Sequence, residues 1–234
     1  MSVAEKYAPS SLTDVVMPSV ATANRISGYA SGGLTGHVIL YGPNGTGKST
    51  VAHLLPNAIS GDDALVEPKS LEELLATKDL KGYLKRSAHW AQMNNNSKYY
   101  LVYDEADAVK GNFARFWTAV DACRSDVMMI FTTNNPMAIP ASIRSRSDEI
   151  AFPALTPQQF LPRAQFILQA EGVNLPNAQV LHYLTQIQHM PDIRKYCKRL
   201  DDLIYLVNSN QPLPPTPVAA ANQPQIKVVA GKKK

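Results

Sequence analysis

A strand-like run followed by glycines, a lysine and hydroxyls stands in the first quarter of the chain. The stretch HVILYGPNGTGKST at 37–50 matches the pattern G-x-x-x-x-G-K-[ST]. Glycines allow successive backbone amides to turn inward around a phosphate, and the start of the following helix adds partial positive charge. The lysine of such a loop reaches the β and γ phosphates, and the next hydroxyl ligates Mg²⁺. We therefore predict a nucleoside triphosphate site with the loop residues Gly42, Pro43, Asn44, Gly45, Thr46, Gly47, Lys48, Ser49 and Thr50.

Two carboxylates close a second apolar run, in YYLVYDEAD at 99–107. In a nucleoside triphosphatase such a pair lies beside the γ phosphate, where Asp104 would hold hydrated Mg²⁺ and Glu105 would orient and polarise the attacking water. An acidic turn after a strand is usually only solvated, but this one follows the lysine loop in the expected order. The letters D-E-A-D also suggest an RNA helicase. That class needs a second RecA-like domain, and the roughly 100 residues after the next strand are too few for one.

Polar side chains further along the chain stand where they could complete such a site. Asn134 follows the apolar run VMMIF and could hydrogen-bond the γ phosphate or the water, or it could simply end the strand in a turn. Arg144 and Arg146 precede the last strand-like run, where isolated arginines are usually surface charges. Arg194 stands in the first turn of the last helix, after the expected N-cap Asp192. Because a cation at a helix start opposes the helix dipole, Arg194 is a stronger functional candidate than an ordinary surface arginine.

Short apolar runs alternate with helical stretches through the first part of the chain. The strand-like runs are 38–41, 64–66, 99–103, 127–132 and 149–152. The candidate helices between them are 49–55, 81–92 and 112–122. This alternation predicts an α/β domain over 1–154, with a parallel five-stranded sheet and flanking helices.

The character of the sequence changes after residue 155. No strand pattern follows, and three helical segments broken at Gly172 and Pro191 predict a small helical domain over 155–209. Residues 210–234 are rich in proline, alanine and glutamine and end in lysines, so we expect a disordered extension there.

Composition and charge narrow the functional classes. A chain of 234 residues with 45% hydrophobic side chains can bury one core and a small second one. The formal charge of +4 comes from the four lysines after residue 210, so any nucleic-acid contact must come from local patches. Two cysteines indicate neither a disulfide framework nor a zinc site. No window reaches the ~18 unbroken apolar residues of a membrane span, so we expect no membrane partner and a cytoplasmic protein, in the host cytoplasm if the source is viral.

Together these motifs resemble the AAA+ ATPases, a class of P-loop nucleoside triphosphatases, and among them the clamp-loader small subunits of the replication factor C type. EKYAPSSLTDVV at 5–16 is similar to the family's E-K-Y-R-P start, with Ala8 in place of the usual arginine. TTNNP looks like the sensor 1 segment, SRS resembles the S-R-C motif, and PDIRK resembles the sensor 2 segment. The resemblance implies Asn134 as the sensor, Arg146 as an arginine finger acting in trans on a neighbour's ATP, and Arg194 at the γ phosphate of its own subunit. It covers residues 4 to about 208 and looks most like the small subunit of T-even-like bacteriophage clamp loaders.

The same resemblance implies ATP and Mg²⁺ as cofactors, with Tyr7 and Pro9 at the nucleotide. It also implies an ATP-driven loader that assembles with other AAA+ subunits, opens a sliding clamp and places it on primer-template DNA. Lys81, Lys85 and Arg86 lie on the candidate helix of LKGYLKRSAHW, in the region through which the family contacts DNA. A solvated basic face is the alternative interpretation of these three residues.

Three departures from the family pattern matter. Ala8 removes a basic side chain near the expected adenine pocket, and Ser147 replaces the cysteine of S-R-C. Family members continue past the helical domain, their lid, into a collar that joins the subunits into a ring, whereas this sequence passes into its proline-rich segment. The alternatives to a clamp loader are a helicase loader or another DNA-remodelling AAA+ protein, and a nucleotide-gated assembly factor in which turnover is incidental.

Overall fold

The computed structural model describes residues 1–94, 96, 98–108, 113–123, 125–187, 189 and 192–215. Within them, one parallel sheet contains β1 (His37–Tyr41), β2 (Tyr99–Tyr103), β3 (Val127–Thr133) and β4 (Ser147–Ala151) in the order β2-β3-β1-β4. Every residue of β2 and β3 is buried, as expected for parallel strands that are covered on both faces. The predicted α/β class is therefore confirmed.

The expected five-stranded sheet is wrong, because the run ALV does not form a strand. Val66 makes an isolated parallel bridge to Tyr100, and the Tyr100 N–H donates to the Leu65 carbonyl at 3.0 Å. The pairing stops after Glu67, whose N–H donates to the Tyr100 carbonyl at 2.9 Å. The next donor on this side of the segment is the Lys69 N–H, which donates to Glu67 Oε1 at 2.9 Å instead of to β2, so the ladder does not continue. In the described part of the chain the sheet thus has four strands.

Helices cover both faces of this sheet. The helices before β4 are α1 (Val3–Lys6), α2 (Val20–Ala30), α3 (Lys48–Ser60), α4 (Leu71–Ala76), α5 (Leu80–Met93), α6 (Phe113–Asp121) and α7 (Ala141–Arg144), and of these α1 packs elsewhere. On one face, α2 and α3 bury Ile26 and Leu55 in a shared apolar cluster with the sheet. On the other face, α5 and α6 bury Leu84 and Phe116 with Phe131 of β3. The three helices predicted between the strands are confirmed as α3, α5 and α6, except that residue 112 lies outside the described residues.

A second apolar core lies among the helices that follow the sheet. They are α8 (Pro157–Ala170), α9 (Asn177–Thr185) and α10 (Ile193–Asn208). Phe160, Tyr183 and Leu200, one from each helix, are buried in this core. Gly172, at φ +76°, lies between α8 and α9 as the predicted break requires. Pro191 and residues 216–234, with their lysines, lie outside the described residues.

The first helix joins the later core rather than the sheet. Val3 of α1 is 5% exposed and belongs to the same cluster as α8 and α10. Its N–H donates to Asp201 Oδ1 on α10 at 2.8 Å. The amino-terminal segment therefore runs from the core of the later helices to the core around the sheet. The division into domains at residue 154 stays a prediction. None of the helices in the described residues is long and apolar enough to cross a membrane.

The topology decides which motifs meet. The carboxyl ends of β1, β2 and β3 lie along one edge of the sheet, because the three strands are parallel. Gly42, Asp104 and Asn134 follow those three ends directly. Arg146 precedes β4, whose first residue pairs with the first residue of β1, so Arg146 lies at the opposite edge.

Candidate active site

The glycine loop connects β1 to α3 and contains glycines whose backbone or surroundings disfavour a side chain. Gly42 has φ +149°, and a Cβ there would collide with the Phe152 carbonyl. Gly47 is the N-cap of α3 and has a left-handed backbone, with φ 91°. Both conformations favour glycine, since a side chain would be strained or would not fit. The backbone of the loop therefore packs closely against the residues around it before it enters the first turn of α3.

Lys48 is buried, with 7% of its surface exposed, although it carries a charge. Its Nζ donates to the carbonyls of Gly42 at 2.8 Å and Pro43 at 2.7 Å, and to Asn134 Oδ1 at 3.0 Å. Burial lowers the pKa of Lys48, and the nearby carboxylate of Asp107 acts in the opposite direction. The ammonium thus links the loop after β1 to the end of β3.

Asp104 lies beside the first turn of α3. Its Oδ1 accepts from Thr132 Oγ1 at 2.9 Å, and its Oδ2 is 2.8 Å from His53 Nε2. Burial raises the pKa of Asp104, but hydrogen bonds from Ser49, His53 and Thr132 outweigh it and leave the pKa below its ordinary value. A hydroxyl and an ionised carboxylate are the hard oxygen donors that Mg²⁺ prefers, so the pair of Ser49 and Asp104 fits this ion.

His53 is a neighbour of the site that lies outside the sequence motifs. It stands four residues after Ser49 on α3, a spacing that places two side chains on the same face of a helix. That spacing is the signal in the sequence that could have found it.

Glu105 has an unusual backbone, with φ 49°, which is uncommon for a residue other than glycine. Thr132 holds this turn from two sides. Its Oγ1 accepts from the Glu105 N–H at 3.1 Å, and its carbonyl accepts from the Ala106 N–H at 3.0 Å. Left-handed residues of this kind cluster at functional sites, which motivates a role for Glu105.

One cavity of about 360 Å³ connects these groups to the amino-terminal segment and the later helices. Loop residues 44–50, Glu105 and Asn134 line its polar end. Its other end is mostly apolar and is lined by Tyr7, Ala8, Pro9, Phe160, Ile167 and Cys197. A volume of this size, with a polar end and an apolar end, suits a nucleotide with its phosphates in the loop.

The apolar end contains one cation that the sequence did not reveal. Arg163 of α8 lines the cavity and donates to the Tyr7 carbonyl at 2.8 Å. The Tyr7 hydroxyl donates to Glu171 Oε1 at 2.6 Å, so Tyr7 is held at its backbone carbonyl and at its hydroxyl. Ala8 lacks the basic side chain usual in the resembled family, and Arg163 brings a positive charge to the same region from another helix.

Arg194, the arginine at the start of the last helix, lies at the cavity. It lines the cavity together with Ile193, at the start of α10. Its Nη2 is 2.7 Å from Asp192 Oδ2, and the guanidinium side chain is 70% exposed. The arginine is therefore within the site but is paired with a carboxylate.

Arg146 is not part of this cavity. Its side chain is exposed, its Nη1 donates to the Ser142 carbonyl at 3.0 Å, and its Cζ lies 5.2 Å from the centre of the Trp117 ring. Arg144 is half-buried and lies 3.8 Å from Glu149. The structure thus separates Arg146 from the site of its own chain.

Lys81, Lys85 and Arg86 are exposed on α5, away from the cavity. Arg86 lies 3.6 Å from Asp79, the N-cap of the same helix. The surface continues with Trp90, which is 61% exposed. The predicted basic face therefore exists, and its contact with DNA stays a prediction.

Comparison with protein families gives one match over the α/β part. The family described as "ATPase family associated with various cellular activities (AAA)" matches residues 38–154, which is half of the chain. The match contains the glycine loop, the carboxylates and Asn134.

Similar curated proteins are named as subunits of a sliding-clamp loader and of replication factor C. The sliding-clamp-loader large subunit of Enterobacteria phage T4 is 27% identical over 207 residues, which cover 84% of this chain and 63% of that protein. Replication factor C small subunit 2 of Pyrobaculum arsenaticum is 26% identical over 175 residues, covering 73% of this chain and 54% of that protein. The chain therefore spans less than two thirds of the length of each. The phage relative is named a large subunit, whereas the expected small-subunit name belongs to the replication factor C relative.

Among solved structures, the Thermotoga maritima RuvB Holliday junction branch migration motor is similar, with a TM-score of 0.62 and 17% sequence identity. The similarity covers 87% of this chain and 68% of that one. At this identity it shows the fold alone.

Proposed function

The chain belongs to the AAA family of ATPases, and on that premise we propose that it is an ATP-hydrolysing subunit of a sliding-clamp loader. One observation carries the proposal: three motifs meet at one edge of the sheet, where Lys48 donates to Asn134 and Ser49 bonds Asp104. The relatives named as clamp-loader and replication factor C subunits favour this function among those of the family.

The cavity orients the nucleotide. The triphosphate lies along the loop 42–50, and the base lies at the apolar end near Tyr7 and Pro9. Ser49 and Asp104 would hold Mg²⁺, which would supply positive charge beside the phosphates. The buried ammonium of Lys48 adds a second fixed charge on the same phosphates.

The remaining side chains prepare the water and the γ phosphate. Glu105 orients the attacking water and accepts its proton. Asn134, at the end of β3, hydrogen-bonds the water or the γ phosphate. Arg194 stabilises the negative charge of the γ phosphate from the start of α10.

Arg146 completes the site of a neighbouring subunit rather than its own, since it lies at the opposite edge of the sheet. The proposed loader therefore contains several AAA+ subunits. It acts on a sliding clamp and on primer-template DNA, with α5 facing the DNA backbone.

The test of this function is a loading assay with a labelled sliding clamp from the same genome, together with any second loader subunit encoded there. We expect primer-template DNA and the clamp together to raise ATP turnover several-fold over that of the chain without them. Clamp should become stably bound to circular primed DNA only when ATP is present. The Glu105→Gln variant is the control, because it keeps the phosphate loop but lacks the proton acceptor.

The alternatives give different results in the same assay. A helicase loader would be stimulated by a hexameric helicase or single-stranded DNA and would ignore the clamp. An assembly factor with incidental turnover would act as well in the Glu105→Gln variant as in the wild type, because it needs ATP binding and not ATP hydrolysis. Either result would contradict the clamp-loader proposal.

The basic face of α5 gives a separate prediction. If Lys81 and Lys85 contact phosphates, their double alanine variant binds every duplex sequence more weakly. The slope of log affinity against log salt concentration should fall by roughly 2, about one for each lost contact. Fluorescence anisotropy of labelled primer-template DNA over a salt series, with a non-hydrolysable ATP analogue present, measures this slope.

A matched control for α5 removes two lysines from another helix. Lys195 and Lys198 are both exposed on α10, so their double alanine variant changes the net charge equally. We expect its salt slope to equal that of the wild type. An unaltered slope in the Lys81 and Lys85 variant would mean that α5 carries only a solvated basic face.

A further inference from the structure

The start of α10 contacts the phosphate loop directly. The Ile193 N–H donates to the Gly45 carbonyl at 2.9 Å. The Asp192 carboxylate packs against the other side of Gly45, where a Cβ would overlap it. Gly45 also has φ +69°, a conformation that favours glycine. A negatively charged group therefore lies at the rim of a loop that is suited to bind an anion.

The same carboxylate holds the arginine of α10. Arg194 Nε is 3.0 Å from Asp192 Oδ1 and 3.1 Å from Oδ2, and Nη2 is 2.7 Å from Oδ2. The Arg194 backbone N–H also donates to Oδ1 at 2.9 Å, so Asp192 caps the helix at the same time. This contact engages one edge of the planar guanidinium, the kind of edge with which arginine binds a phosphate.

We propose that Asp192 is a positioning residue, whose carboxylate holds Arg194 beside the phosphate loop and releases the guanidinium to the γ phosphate of ATP. The strength of the Asp192–Arg194 pair thereby sets the preference for ATP over ADP. The inference deepens the proposed function and depends on it. A γ phosphate reaches the guanidinium and replaces the carboxylate as its partner. A diphosphate ends one phosphate short and leaves the Asp192–Arg194 pair intact. Asp192 thereby lowers the affinity for ATP by the free energy of the pair that ATP has to break.

Asparagine at position 192 isolates the charge from the cap. Asparagine is as good an N-cap as aspartate, so Asp192→Asn keeps α10 capped and removes only the carboxylate charge. Because Arg194 is largely exposed, the pair is a weak one, and we expect the preference for ATP over ADP to rise by about threefold to fivefold. Asp192→Ser, a second uncharged capping residue, should give the same shift.

The experiment is a double-mutant cycle with Asp192→Asn and Arg194→Ala. Dissociation constants are measured by titration calorimetry for ADP and for a non-hydrolysable ATP analogue, on the full chain. We expect Asp192→Asn to raise the preference for the triphosphate in the wild-type background and to leave it unchanged in the Arg194→Ala background. Asp79→Asn is the matched control, since Asp79 caps α5 in the same way through the Gly82 N–H at 3.0 Å, away from the cavity.

Three outcomes would overturn the inference. The first is an unchanged preference in both Asp192→Asn and Asp192→Ser. The second is an equal shift with and without Arg194, which would mean that Asp192 acts by repelling phosphates and not through the arginine. The third is a wild-type chain that binds neither nucleotide, which contradicts the proposed function as well and is thereby distinguished from the other two.

Discussion

Replacing Lys48 by alanine is expected to abolish measurable ATP binding. The lysine is 7% exposed, and its ammonium already lies within hydrogen-bond distance of three oxygens around the loop. The oxygens of a bound triphosphate, which carry several negative charges, would replace these three oxygens as partners of the ammonium. A hydrogen bond to a charged group contributes about 1.5–3 kcal/mol, so losing contacts to two phosphates should weaken binding by ~100-fold or more. Titration with a fluorescent, non-hydrolysable ATP analogue measures the change.

Two control variants distinguish the loss of the Lys48 charge from a change in the structure of the loop. Asn134→Ala removes one of the three oxygens that Lys48 contacts and keeps the ammonium, so it should retain most of the affinity. Lys198→Ala removes an exposed lysine of α10 and should bind ATP like the wild type. Thermal unfolding of each variant checks the fold. If folded Lys48→Ala binds the analogue with wild-type affinity, the glycine loop is not the phosphate site.

The sheet edge and its three motifs could be predicted from the sequence because each motif directly follows a strand. The strands before Gly42, Asp104 and Asn134 are short apolar runs that become buried on both faces. Parallel strands bring their carboxyl ends to one edge, so the order of the motifs along the chain is enough to bring them together. Only local patterns and one topological rule are needed for this part of the site.

The prediction of a strand at 64–66 was wrong because the pattern of that run is incomplete. ALV is apolar, but it has only three residues before Glu67 and Pro68, and the Lys69 N–H that further pairing needs donates to the Glu67 side chain instead. Composition alone does not distinguish such a run from a true strand. The short helix α4 was missed for a related reason, since its six residues are too few to show a helical period.

Contacts between distant parts of the chain account for the rest of the site that was not predicted. Arg163 meets the Tyr7 carbonyl across 156 positions in the sequence, and Asp192 meets Gly45 across a similar distance. Neither pairing leaves a local pattern, because it depends on how the helices after the sheet pack against the amino-terminal segment and the loop. His53 differs, since its spacing from Ser49 on α3 is a local signal.

Replacing Arg146 by alanine is expected to leave ATP binding nearly normal and to remove most of the hydrolysis. Arg146 precedes β4, and the five residues of that strand place it roughly 16 Å from the edge at which the phosphate loop begins. Its guanidinium lies over Trp117 and donates to the Ser142 carbonyl, which holds it on an exposed surface. An arginine supplied by a neighbour raises the rate of GTPase-type enzymes about 10³- to 10⁵-fold, so its loss should be large.

Arg144 is the matched control for this prediction. It stands two residues earlier, is half-buried and lies 3.8 Å from Glu149 within its own chain. We expect Arg144→Ala to reduce turnover much less than Arg146→Ala does. Steady-state phosphate release measures turnover, and a nucleotide titration shows whether both variants still bind ATP.

Mixing two inactive variants tests whether the site is shared between subunits. The Arg146→Ala chain keeps Glu105, and the Glu105→Gln chain keeps Arg146, so an interface between them in one direction contains both groups. In a random equal mixture, such interfaces should restore about a quarter of the wild-type rate if each acts independently. Two variants that co-assemble but stay inactive in every ratio would contradict the shared site. Full turnover by Arg146→Ala alone would remove the main mechanistic support for the clamp-loader proposal, because the site of each chain would then be complete without its neighbour.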